Sequence, residues 1–150
     1  MNWNDYFAKI TLTVSQKSKC QRRQVGCILV KDKRIIATGY NGLPPKYPDC
    51  EPGKLHCGKR ESGTGLHSIP CVHAEANAIA QCAKFGVSTK DAEAWVTHFP
   101  CNDCLKLLIS SGIVAIHYGH YYKLSEQDEL NRLFLIEQAR ISIRSYLYER

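Results

Sequence analysis

The chain lacks any apolar run long enough to cross a bilayer, for which about twenty consecutive apolar residues are needed. Its opening, Met1-Asn2-Trp3-Asn4-Asp5, has neither the basic start nor the apolar stretch of a signal peptide. These absences argue against a membrane partner and lead us to expect a cytoplasmic protein. Internal repeats and domain linkers are also missing, so residues 1–150 read as one domain. The net charge is +6, yet there is no Arg-rich run and no RNA-binding signature. Much of the excess lies in Lys17, Lys19, Arg22, Arg23, Lys31, Lys33 and Arg34. Without a nucleic-acid motif, it reads as solvated surface or as attraction for an anionic small molecule such as a nucleotide phosphate.

A hydrophobic content of 44% is enough for an ordinary core. The chain also carries eight cysteines. In a reducing compartment metal binding is a better use for them than disulfides. Two stretches stand out, His73-Ala74-Glu75 and Pro100-Cys101-Asn102-Asp103-Cys104. Cys101 and Cys104 stand three apart, so one turn of helix brings both sulfurs to one face. Pro100 is tolerated at a helix start, and the positive end of that helix favours thiolates. His73 and Glu75 are two apart, wrong for neighbours on a helix side but workable at a helix entrance. One imidazole and two thiolates fill three positions of a tetrahedral zinc and leave the fourth for water. Glu75 is then free to move protons. Alone, the C-x-x-C pair reads equally as a zinc knuckle or a redox couple. The joint H-x-E…P-C-x-x-C pattern is the known signature of zinc nucleobase deaminases.

The rest of the chain reads as alternating elements. Residues 3–19 form a helix with Tyr6, Phe7, Ile10 and Val14 on one face. Residues 25–30 and 34–40 form a hairpin around the polar turn Lys31-Asp32-Lys33. Residues 41–72 are rich in glycine and proline, without periodicity; a connection this long is usually functional or tied down. It holds Cys50, His56, Cys57, His67 and Cys71, which argues for a metal tie. A helix over 73–85 ends at Gly86, a C-cap. A strand follows at 92–97, a helix at 101–111 stopped by Gly112, and a strand at 113–118. Ser125 begins a helix with Glu126, Asp128 and Glu129 in its first turn and Leu130, Leu133, Phe134 and Glu137 along its face. Ile141 and Ile143 mark a last strand, and residues 146–150 a tail or subunit contact. Cys27 and Cys82 read as small core residues. The order α-β-β-α-β-α-β-α-β implies one mixed sheet covered by helices, with an antiparallel opening hairpin and parallel later strands.

With these motifs in place, the chain resembles the deoxycytidylate (dCMP) deaminases of the cytidine deaminase superfamily, and bacteriophage and competence-operon-type members most. The likeness runs from Trp3 to Lys123 through Ser18-Lys19-Cys20, Val25-Gly26-Cys27-Ile28-Leu29-Val30, Thr38-Gly39-Tyr40-Asn41-Gly42, His73-Ala74-Glu75-Ala76-Asn77-Ala78-Ile79, Thr97-His98-Phe99-Pro100-Cys101 and Ser111-Gly112-Ile113. The resemblance implies a three-layer α/β/α sandwich around one mixed five-stranded sheet, and hydrolysis of dCMP to dUMP in support of thymidylate synthesis. It implies a catalytic zinc on His73, Cys101 and Cys104, with Glu75 as proton shuttle and the Ala74 N–H at the base. Asn41 matches the position that binds the deoxyribose 3′-OH, and Tyr122 one that holds the 5′-phosphate, with Arg22 or Arg23 supplying positive charge. In some phage members a second, structural zinc takes ligands at positions matching Cys20, Cys50, His67 and Cys71, with His56 and Cys57 as substitutes. The family also implies a homo-hexamer activated by dCTP and inhibited by dTTP. The effector, carrying Mg²⁺, would sit near Asn41 and Gly42, where a plain hairpin end is the other reading.

Two other readings stay open on the sequence. One is a deaminase of another base: cytidine, a riboflavin precursor or tRNA adenosine. The other is a non-enzymatic zinc module binding nucleic acid, which leaves Glu75 without a role.

Overall fold

The computed structural model describes residues 1–20, 22–48 and 71–147. The elements follow the expected order: α1 (Trp3–Ser15), β1 (Gly26–Lys31), β2 (Arg34–Tyr40), α2 (Ala74–Phe85), β3 (Glu93–His98), α3 (Asn102–Ser110), β4 (Ala115–His120), α4 (Glu126–Ala139) and β5 (Ser142–Ser145). The strands form one sheet in the order β2-β1-β3-β4-β5. β1 pairs antiparallel with both β2 and β3, whereas β3–β4 and β4–β5 are parallel. The sheet is therefore mixed, as its connections require: a tight turn joins β1 to β2, and a helix joins each parallel pair.

Alternation along β1 divides the core. Cys27 and Leu29 face a cluster that includes Ala78 and Cys82 of α2, Leu105 and Leu108 of α3, and the flanking Leu135 and Ile136 of α4. Ile28 and Val30 face Phe7 of α1 and Trp95 of β3. The sheet is thus covered by three helices on one side and by α1 on the other, giving three layers. Asp32 and Lys33 make the hairpin turn with left-handed φ of 51° and 60°, the hand that suits the twist of its strands.

Two glycines allow the helices to settle close to the sheet. A Cβ on Gly26 would lie 2.5 Å from the Thr11 carbonyl oxygen of α1. One on Gly39 would lie 2.1 Å from the Ala74 carbonyl oxygen and 2.5 Å from the Ala78 nitrogen. Gly39 therefore fixes how closely the first turn of α2 sits on β2.

The structure corrects several expectations. α1 ends at Ser15 rather than near residue 19. The Ser15 hydroxyl donates to the Leu12 carbonyl, and Ser18 turns inward to donate to the Asn41 carbonyl, so the chain leaves the helix. The buried face of α1 is Phe7, Thr11 and Ser15, with Tyr6 outside it. The fourth strand runs two residues later than expected. Tyr146 is not tail: it stacks on Trp95 and donates to the Val96 carbonyl at 3.0 Å. The largest difference is in α4. Leu130, Leu133 and Phe134 are 61%, 55% and 63% exposed, while its one fully buried residue is Arg132. The helix docks through the neighbouring stripe of Arg132, Leu135 and Ile136.

Candidate active site

The site forms where two helices begin. His73 is the N-cap of α2 and Cys101 the N-cap of α3, both with extended backbone. The Cys101 sulfur accepts the Cys104 N–H at 3.5 Å, as a capping oxygen would. His73 Nδ1 lies 3.5 Å from Cys101 Sγ and 3.4 Å from Cys104 Sγ. A tetrahedral ion with zinc–sulfur and zinc–nitrogen bonds of about 2.3 and 2.0 Å sets such donors about 3.5 Å apart. The donor set and its spacing therefore fit zinc. Among the described residues this is the one group of three His, Cys or acidic side chains gathered closely enough to hold a metal ion.

The electrostatics suit the same use. The Cys104 thiol donates to Cys101, and that bond, with His73 and the Cys104 N–H, brings the Cys101 thiol down to about 4. Cys104 is pushed up because it is the donor of the pair and is buried. His73 is raised, first by its hydrogen bond with Cys101. A divalent cation would displace the proton held between them. Glu75, in the first turn of α2, is 3% exposed. Burial raises its carboxyl, and the Cys101 thiolate raises it further. A carboxyl so placed holds its proton more tightly than an exposed one, which suits a group that must both accept and return protons.

The other expected residues divide. Ala74 is fully buried, seated over Gly39. Asn41 is buried; its Oδ1 accepts the Val25 N–H at 2.8 Å and its Nδ2 donates to the Arg23 carbonyl at 2.8 Å. These bonds tie it to the approach to β1 and leave one amide hydrogen of Nδ2 without a bond among the described residues. Arg23 sits 5.1 Å from the centre of the Tyr122 ring, and no such contact involves Arg22 among the described residues. The Tyr122 hydroxyl is raised by burial and then by the Cys101 thiolate. Gly42 pairs with Val72 through N–H···O bonds of 3.1 and 2.8 Å, joining both ends of the long connection one residue before His73. Cys20 and Cys71 are half-buried and join no group of three ligands among the described residues. Cys50, His56, Cys57 and His67 lie outside the described residues.

Sequence reasoning missed several supports. Asn77 donates to the Tyr40 carbonyl at 2.8 Å and ties α2 to the end of β2. Thr97 Oγ1 accepts the Gly26 N–H at 3.1 Å and lies 3.0 Å from His98 Nδ1. The position of Asn77, one turn beyond His73, was a usable signal. For Thr97 there was none, because its partner is 71 residues away.

Residues 1–120 match the family described as the cytidine and deoxycytidylate deaminase zinc-binding region. The chain belongs to this family. This deaminase-family chain is 38% identical over 146 residues to ComE operon protein 2 of Bacillus subtilis, across 95% of its own length and 70% of that protein. It is 30% identical over 148 residues to the deoxycytidylate deaminase of Saccharomyces cerevisiae, across 98% of itself but 46% of the relative, so it spans about half of that protein. Among solved structures it is similar to a dCMP deaminase from the cyanophage S-TIM5 in complex with dCMP and dUMP: TM-score 0.75, 28% identity, 94% of each chain covered. No helix among the described residues is long and apolar enough to cross a membrane.

Proposed function

We propose that the protein is a zinc-dependent hydrolase converting dCMP to dUMP and ammonia, with residues 1–150 as one deaminase domain. The observation that carries this reading is the placement of a buried carboxyl, Glu75, beside one imidazole and two thiols at ligand spacing. The names of its relatives, and the dCMP and dUMP bound by the cyanophage enzyme, support the substrate.

His73, Cys101 and Cys104 would hold the zinc. When bound, it supplies Lewis acidity that makes water a nucleophile at neutral pH. Glu75 takes a proton from the attacking water and passes it to N3 of cytosine, then takes the second proton, from the hydroxyl now on C4, and passes it to the departing amine. Its raised affinity for protons, a consequence of burial, suits both transfers. The Ala74 N–H contacts the base. Asn41 spends its remaining amide hydrogen on the 3′-OH. Tyr122 and Arg23 take the 5′-phosphate, whose negative charge fits a guanidinium beside a phenol.

Several finer features rest on family likeness. They are activation by dCTP and inhibition by dTTP near Asn41 and Gly42 with Mg²⁺ on the effector, a second zinc on Cys20, Cys50, His67 and Cys71, a cytoplasmic location, and a homo-hexamer. The outward apolar stripe of α4 supports self-association.

Ammonia release from dCMP, cytidine, dCTP and adenosine, with and without dCTP as effector, tests the proposal. Turnover should be fastest with dCMP. Glu75→Gln should lower kcat by about 100-fold or more while zinc content stays constant. Near wild-type activity in that variant would remove the mechanism.

A further inference from the structure

Among the described residues, Arg132 is the only charged one of the largest fully buried side chains, at 1% exposure. Burying a guanidinium is unfavourable unless its donors are satisfied, and a buried ion pair is weak evidence for stability. Its carboxylate contact is long, 3.4 Å from Nη1 to Glu129 Oε1, and its Nε has no partner among the described residues. Its position therefore calls for an explanation other than a strong ion pair.

The remaining contacts give one. Nη2 donates to the Pro100 carbonyl at 3.0 Å, and Nη1 to the Tyr122 carbonyl at 3.3 Å. The guanidinium lies 4.6 Å from the centre of the Phe99 ring and 5.1 Å from that of Tyr121. One plane is thus fixed between two loops. The first carries Cys101, immediately after Pro100. The second carries Tyr122. The same stretch of α4 strengthens the hold: Asn102 donates to the Asp128 carbonyl at 2.9 Å, and Glu129 accepts the Leu124 N–H at 2.7 Å and the Tyr121 hydroxyl.

We infer that Arg132 is a positioning residue that sets the distance between the metal centre and the phosphate-binding edge of the site. Its rigid fork reaches both carbonyls at once; an ammonium on a flexible stem cannot hold both in one plane. The inference deepens the proposed function and rests on it for the identity of the ligand.

Arg132→Lys and Leu135→Ala should be compared in the zinc-loaded enzyme. Leu135 is on the same helix, packs against the core and touches neither loop in the contacts above. Both variants should lower Tm. Well below either melting point, Arg132→Lys should raise KM for dCMP about tenfold or more, because small misplacements of binding groups are expensive. Its KM for deoxycytidine, which has no phosphate, should change little. Leu135→Ala should stay near wild type on both substrates. Hydrogen exchange in segments 99–104 and 121–125 should quicken only in Arg132→Lys. Equal effects of the two variants on KM and exchange, or unchanged exchange in Arg132→Lys, would overturn the inference. If wild type does not turn over dCMP, the substrate assignment fails, and the exchange comparison still decides whether Arg132 holds the two loops.

Discussion

At the scale of single residues, His98 shows how the cleft sets protonation. It is half-buried between Arg23 and His120, with Nδ1 against Thr97 Oγ1. Burial, then the charge of Arg23, then that of His120 bring its imidazole down to about 4. The folded protein thus refuses a proton that the unfolded chain accepts. The stability this gives is present above the ordinary histidine value and is lost as pH falls from there toward about 4. NMR titration of His98 should show a midpoint near 4, and Arg23→Gln should move it upward. A midpoint at the ordinary value in wild type would contradict the packing described. Glu75 illustrates the same principle with the opposite sign, since burial makes an acid hold its proton more tightly.

At the scale of elements, close approach and choice of face matter most. The first turn of α2 carries Ala74 and Glu75 and rests on the bare Cα of Gly39. Gly39→Ala must push α2 off β2, because the obstructing atoms are backbone. We expect a loss of about 1–3 kcal/mol in chemical denaturation, together with reduced zinc affinity, since His73 caps that helix. Full zinc affinity in this variant would show that the helix start can shift freely. In α4 the same i, i+3, i+4 spacing describes two stripes two residues apart in phase: Leu130, Leu133 and Phe134, and Arg132, Leu135 and Ile136. The sequence favours Leu130, Leu133 and Phe134 because they are the larger apolar set. In the fold these point outward, and Leu135 and Ile136 pack inward. Changing both Leu133 and Phe134 to Glu should therefore leave the helical circular dichroism intact and lower the oligomer mass in sedimentation. Unchanged mass would place any subunit contact elsewhere.

At the scale of the whole molecule, a metal held by His73, Cys101 and Cys104 would join parts of the chain that no covalent bond links. His73 and Cys101 begin different helices, on either side of β3 in the sequence. Removing zinc with a chelator should lower Tm and abolish turnover, because a ligand bound only by the folded state stabilises it by mass action. Metal analysis should give two zinc ions per chain, falling to one in Cys71→Ser. One ion in both would leave the catalytic centre intact and remove the second site.

The element order and the pairings within each candidate metal-ligand motif were legible in the sequence because they depend on local rules. Alternation marks a strand. A three-residue step places two sulfurs over one helix start. A helix between two strands makes them parallel. Those rules act over a few residues, so they paired Cys101 with Cys104 and His73 with Glu75, while only the joint family signature linked the two pairs across 28 residues. The tertiary structure decided everything that depends on docking: which stripe of α4 is buried, which arginine meets Tyr122, which backbone groups the Asn41 amide holds, and why a guanidinium lies in the core. Such outcomes turn on partners tens of residues away, and two faces with equal spacing remain equivalent until one of them has somewhere to pack.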